Sequence, residues 1–304
     1  MENKKISNKY YYKIYGLSVE SEIEIPELIL NDEVRNIDVK ILRNKISDYI
    51  KKEIVNGKTR GGSKDLIWFY KENAGIFCIK NGTEIIVEDV DKSIDINKKF
   101  YLIEISFSFL MMQRNMVVLH GSSTVIGDKS IVAVGKCGAG KSTLVNELIK
   151  RKYKFLADDV VAISISDNII KSQPSYPQRR LCKDIIIRSG YDINNCIRVN
   201  KKKDKYAIIN KEDFVKDGTC IGSIIEIEEH SGDSVILEKI TGNEKIKLLL
   251  DNIYNAKYME ISLNDEYLTY LLKISSNVPF YKIKRPKGKI TVDEQIRIIE
   301  DILK

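Results

Sequence analysis

Few of the residues that mark specialised protein classes occur in this chain. Only 5 of its 304 residues are proline and 17 are glycine, which excludes collagen-like and proline-rich architectures. Two histidines leave no basis for a histidine-rich metal site. The five cysteines, Cys78, Cys137, Cys182, Cys196 and Cys220, are odd in number and form no short metal-ligand pair, so reduced thiols in a cytoplasmic protein are expected. The most apolar stretch, Phe100–Met112, has 13 residues and contains Glu104, short of the ~18–20 that span a bilayer. Met1–Lys5 lead into tyrosines rather than the apolar core of a secretion signal. A cytoplasmic location without membrane association is therefore expected.

What is present describes an ordinary globular chain. Hydrophobic residues make up 43% and charged residues 31%, which excludes wholesale disorder. At ~150 residues per domain the length allows one large domain or two modest ones. The net charge of +7 suits phosphate or an acidic peptide. It is spread too thinly, with too few interleaved aromatics, for nucleic acid.

Residues 10–95 read as short strands, Tyr10–Tyr15, Ile37–Leu42, Leu66–Tyr70, Gly75–Lys80 and Thr83–Val87. The Asn81-Gly82 pair marks a hairpin turn with two positive φ angles. From Asn97, a candidate cap, the period becomes helical through Phe100, Ile103, Phe107, Leu110 and Met111. Strands are then expected at Met116–Leu119, Ser123–Ile126 and Ile131–Val134, a helix at Ser142–Arg151 and a strand at Tyr153–Ala157. Further strands are expected near Ile185–Ile187, Ile221–Glu228 and Ser234–Ile240. Helices follow at Asn243–Asn252, Asp265–Ile274 and Val292–Leu303. The division expected is a β-rich module over 1–96 and an α/β catalytic domain with a mixed sheet over 97–304.

The chemistry is concentrated between the first hairpin of that domain and the strand after the helix Ser142–Arg151. Gly135-Lys136-Cys137-Gly138-Ala139-Gly140-Lys141-Ser142 fits G-x-x-x-x-G-K-[ST] at every fixed position. Small residues there let successive N–H groups form an anion nest, and the following helix adds the positive end of its dipole. Lys141 offers a charge to the β/γ-phosphates and Ser142 a hydroxyl to Mg²⁺, with Thr143 next in the helix. Phe155-Leu156-Ala157-Asp158-Asp159 ends a strand in two carboxylates. A metal–phosphate site needs one such group, and transfer to an alcohol is helped by a second that accepts the proton. Only 17 positions separate Lys141 from Asp158, enough for one helix up and one strand back to the phosphate end. His120 follows the apolar run Val117–Leu119 near the same loop.

Leu119-His120-Gly121-Ser122, the hairpin, the phosphate loop and Leu156-Ala157-Asp158-Asp159 together resemble the catalytic core of HPr kinase/phosphorylase. That core is itself similar to the nucleotide-binding core of phosphoenolpyruvate carboxykinase. Outside residues 100–165 the chain resembles the HPr-kinase-like kinases of lasso-peptide and related peptide-modification operons. Tyr15-Gly16-Leu17, Ser21-Glu22 and Pro26-Glu27-Leu28 look like their opening. Pro174 with Tyr176–Leu181 looks like the segment after their acidic pair, and Val278–Ile283 like their C-terminal strand. The resemblance implies ATP and Mg²⁺ as cofactors, with Lys141 and the loop amides on the phosphates and Ser142 and Asp159 on the metal. It makes Asp158 the base and His120 the residue that orients it, and offers Arg180 as a phosphate or transition-state contact. Thr143 stands where HPr kinase/phosphorylase carries glutamate, and its downstream acidic, Gly-containing segment is absent, which argues against HPr itself as acceptor.

The activity implied is a kinase for a hydroxyl, foremost serine on a peptide or small protein such as a ribosomal peptide precursor or an HPr-like protein. The alternatives are a kinase for free serine or a sugar, and a regulator that binds ATP without transferring it. The partner expected is that phosphoacceptor, and since related enzymes often assemble, a homo-oligomer is compatible with the resemblance. Two basic runs, Lys201–Lys205 and Lys282–Lys289, read as solvated surface. In the first, Lys203 and Lys205 are candidates to close over ATP or an acidic peptide tail.

Overall fold

A computed structural model describes residues 9–32, 36–89, 96–200, 204–256 and 265–304. They form two compact units, one over 9–115 and the other over 116–256 with 265–304. The described residues form a mixed α/β fold with three sheets. No helix among the described residues is long and apolar enough to cross a membrane.

The first unit holds eight strands: β1 (Tyr10–Ile14), β2 (Leu17–Ser21), β3 (Ile29–Leu30), β4 (Val39–Arg43), β5 (Arg60–Ser63), β6 (Leu66–Lys71), β7 (Gly75–Lys80) and β8 (Glu84–Glu88). They form one sheet in the order β3-β1-β2-β4-β8-β7-β6-β5. Helix α1 (Asp48–Val55) places Ile50 against Ile46, Trp68 and Cys78. At the expected Asn81-Gly82 turn both residues have positive φ, and Thr83 N–H donates to Lys80 O at 3.0 Å. The helical segment after it is α2 (Ile96–Phe100), a π-helical turn over Tyr101–Ser106 and α3 (Phe107–Gln113). Asn97 therefore lies inside the first turn rather than capping it.

This segment packs into the first unit, so the division falls at 115/116 and not at 96/97. The ring of Phe107 meets that of Tyr15 at a tilt, with centroids 6.0 Å apart, and the ring of Phe109 meets that of Phe69 likewise at 6.1 Å. Gln113 Oε1 accepts from Gly82 N–H at 2.8 Å, and Arg114 donates to Gly82 O at 3.0 Å. A helical period shows which face is buried but not which sheet it is buried against.

The second unit begins with β9 (Val117–Ile126) and β10 (Lys129–Val134), joined at Gly127 with φ +63°. The two short strands expected over 116–126 are one strand that runs through His120, Gly121 and Ser122. Next come α4 (Lys141–Lys150), β11 (Lys154–Ala157), β12 (Val160–Ser166), β13 (Ile169–Gln173), β14 (Gln178–Cys182), α5 (Lys183–Arg188), β15 (Ile197–Asn200) and β16 (Lys205–Ile209). The chain continues with β17 (Thr219–His230), β18 (Ile236–Ile240), α6 (Asn243–Asp251), α7 (Asp265–Asn277), β19 (Phe280–Pro286) and α8 (Val292–Leu303). The main sheet runs β10-β9-β12-β13-β17-β19-β18, and β17 also pairs in parallel with β10, so five strands close on themselves. A small sheet, β14-β16-β15, stands apart.

Helix α4 is held by the face it buries. Leu144 and Leu148 pack with Ile131, Ala133, Ile225, Ile227 and Ile283 of the sheet and Ile296 and Ile299 of α8. Burying a side chain of this kind contributes about 1.5–3 kcal/mol, so the helix and the loop before it are fixed to the sheet.

The strand expected at Ile185–Ile187 is a helix turn. Ile185 and Ile186 are buried with Leu181, while Ile187 is 62% exposed. A β-branched run favours a strand locally, but Asp184 in the first turn suits a helix start and packing decides the outcome.

Candidate active site

Four neighbouring strands carry the site, β9 to β12. On β9, Gly121 pairs with Val134, the last residue of β10 before the phosphate loop. Along the opposite edge of β9 run β11 and β12, with Ala157 opposite Ser123 and Val160 opposite His120. Between them Asp158 and Asp159 interrupt the ladder, and Asp159 takes φ +65°. The end of the loop strand and the acidic pair thus flank one row of β9.

The loop joins β10 to α4 in the strand–loop–helix order that the motif requires. Gly135 has φ +133°, and a methyl there would lie 2.4 Å from Ile227 O, so only glycine fits. Gly138 and Gly140 also have positive φ. No side chain caps the start of α4, which leaves its first amides for an anion. Lys141 is buried, and its Nζ donates to Gly135 O at 2.6 Å and Lys136 O at 3.2 Å. Burial, with Lys205 nearby, holds its pKa below the usual lysine range despite the pull of Asp159.

The two aspartates differ. Asp158 is 7% exposed; its Oδ1 accepts from Ser122 Oγ at 2.8 Å and its Oδ2 from Arg180 N–H at 2.8 Å. Burial first, and the adjacent Asp159 second, push its pKa up. Asp159 has Lys205 Nζ at 3.6 Å on one oxygen and Arg180 Nη1 at 3.6 Å on the other. Burial alone would raise its pKa, but Lys205, Arg180, His120 and Lys141 outweigh it and the net shift is down. His120 Nδ1 lies 3.1 Å from Asp159 O. A carbonyl can only accept, so Nδ1 carries the proton and Nε2 is left as an acceptor in the neutral ring. Burial and then Lys141 hold the imidazole below its usual pKa.

An open cavity of about 490 Å³ lies over the loop. His120, Cys137, Gly138, Gly140, Lys141, Ser142, Thr143 and Asp159 line it, with Cys182 and Lys205 from the small sheet. The remaining expected residues surround this wall without forming it. Gly135 shapes the loop, Lys136 is exposed, Ala139 is buried, Asp158 lies behind Asp159, and Arg180 reaches Asp159 from β14. Lys203 lies outside the described residues.

Comparison with known proteins adds little to this geometry. No family model matches the chain, and no curated protein matches it. Among solved structures the chain is similar to the HPr(Ser) kinase/phosphatase from Coxiella burnetii, at 13% identity and a TM-score of 0.31, over 61% of this chain and 93% of that one.

Two residues that carry no motif brace the loop. Arg285 of β19 donates from Nε to Ala139 O at 2.6 Å and from Nη2 to Gly138 O at 3.2 Å, and it pairs with Glu229. These bonds tie two loop carbonyls to β19. The basic run of Arg285, read as solvated surface, gave no sign of this, because only the β17–β19 pairing brings it under the loop. Asn252 accepts from Gly135 N–H through Oδ1 at 3.1 Å and from His120 N–H through its backbone O at 2.7 Å. It ties the loop strand to the histidine strand from just beyond the end of α6.

No cluster of three or more His, Cys, Asp or Glu suited to a metal occurs among the described residues. A Mg²⁺ bound mainly through phosphate needs less. One carboxylate and one hydroxyl, both hard oxygen donors, suffice beside substrate oxygens and water. Asp159 and Ser142 on one cavity wall fit that requirement.

Proposed function

We propose that the chain is an ATP- and Mg²⁺-dependent kinase that phosphorylates a hydroxyl, foremost serine in a peptide or small protein. The observation that carries this reading is the single cavity wall shared by Lys141, Ser142, Asp159 and His120. A site that only sensed nucleotide would need the loop and the lysine but not the acidic pair and imidazole behind them.

The loop amides and the N-terminus of α4 bind the phosphates, and Lys141 turns from its own loop carbonyls to the β/γ oxygens. Asp159 and Ser142 would hold Mg²⁺, which when bound neutralises charge on those oxygens. Asp158 accepts the proton of the attacking hydroxyl. Its raised pKa suits that task, and Ser122 Oγ already shows an alcohol donating to it. For this the acceptor hydroxyl needs one of the lone pairs that Ser122 Oγ and Arg180 N–H leave on the carboxylate. A second reading gives the proton to His120 Nε2, because His120 already faces the cavity while Asp158 does not. Arg180 and Arg285 position Asp159 and the loop.

Mass spectrometry of serine-containing peptides after incubation with ATP and Mg²⁺ tests the activity. A phosphate adduct is expected on serine and not on its alanine variant. Transfer to free serine or a sugar instead would select the small-molecule alternative. ATP binding with no transfer to any acceptor would select the regulator.

A further inference from the structure

Lys205 opens β16 opposite Cys182 of β14. Arg180 and Cys182 are two residues apart on β14 and so share a face of the small sheet. That face brings Arg180 and Lys205 to Asp159, one cation 3.6 Å from each carboxylate oxygen. Lys205 also lines the cavity with Lys141 and Ser142. The carboxylate best placed for a divalent cation is thus already engaged by two monovalent ones. Metal arriving alone must separate Lys205 from Asp159 and then lie among like charges, which costs most where water is scarce. A triphosphate changes the balance, because its oxygens give both lysines new partners.

We propose that Lys205 is a counter-ion that closes Asp159 to bare divalent metal and moves to phosphate oxygens when nucleotide arrives, so that metal binding depends on nucleotide binding. This rests on the phosphate-site reading above and adds a positioning role to it. Lys205 has two partners in turn, Asp159 in the empty site and phosphate in the filled one, so its removal shifts two affinities in opposite directions. A lysine that merely supported the fold would not do so.

The test uses the full chain and two separate titrations, MnCl2 without nucleotide and inorganic tripolyphosphate in EDTA. In Lys205→Met, bare Mn²⁺ is expected to bind ~10-fold tighter and tripolyphosphate ~10-fold weaker, the scale of one charge-assisted contact. Lys205→Gln, which keeps a polar stem, shifts both in the same directions, and Lys205→Arg leaves both near wild type. Adding Asp159→Asn to Lys205→Met removes the gain in Mn²⁺ binding. Unchanged or weaker Mn²⁺ binding in both neutral variants, or unchanged tripolyphosphate binding, overturns the role given to Lys205 alone. A wild-type protein that binds no tripolyphosphate overturns the phosphate site and this role together.

Discussion

Asp158 and Asp159 are adjacent in the chain and opposite in character, which follows from the break in pairing that they occupy. The left-handed turn at Asp159 (φ +65°) leaves Asp158 behind the cavity wall with two protein donors, and Asp159 on the wall between two cations. Asparagine can replace Asp158 without loss of either contact. Its Oδ1 accepts from Arg180 N–H and its amide donates to Ser122 Oγ, which also accepts. Asp158→Asn is therefore expected to fold and bind nucleotide near wild-type affinity, while transfer falls at least ~100-fold if the carboxylate is the base. Stability supplies an independent sign. The folded pKa of Asp158 is raised above the ordinary 3.8, so wild type loses stability as pH rises from that value through the folded one. The neutral variant has no such loss. Urea midpoints at increasing pH should move in the variant's favour; a constant difference would show that Asp158 is not destabilised when ionised. Full transfer by Asp158→Asn would pass the base role to His120.

At the scale of elements, the loop is shaped by strand packing as much as by its motif. The motif requires glycine at 135 and 140, yet the structure gives Gly135 a particular reason, the approach of Ile227 O on β17. Gly138, at a position the motif leaves free, has φ +88° and open space around it. Gly138→Ala should cost about 1–2 kcal/mol from backbone conformation alone. Gly135→Ala should cost clearly more, because its methyl also overlaps a carbonyl that β17 cannot move. Unfolding midpoints in urea measure the difference, and equal losses would contradict the close approach. The hairpin at 81–82, the loop, α4 and the acidic pair at a strand's end were legible because each is written in local sequence. The three-stranded sheet was not legible. Its strands are short, its register comes from non-local pairing, and the isoleucines at 185–187, which look like a strand, form the helix α5 that follows β14. The same limit hid Arg285, Asn252 and the reach of Lys205 to Asp159, which depend on pairing between distant strands.

Across the whole molecule, every residue of the candidate site that the structure describes belongs to the second unit, and residues 97–115 belong to the first. Sequence periodicity found the helix over 97–113 and its apolar face. The partner of that face is set by rings such as Tyr15 and Phe69, far away in the chain, so the boundary could not be read locally. On the proposed function, nucleotide phosphates lie on residues 135–143 beside Asp159. Hydrogen exchange followed by mass spectrometry, with and without Mg²⁺ and a non-hydrolysable ATP analogue, tests it most directly. Slowed exchange is expected at 135–143 and around Asp158 and Asp159, and this protection is lost in Lys141→Met. Saturating analogue that leaves 135–143 unprotected, or protects only residues within 9–115, would contradict it.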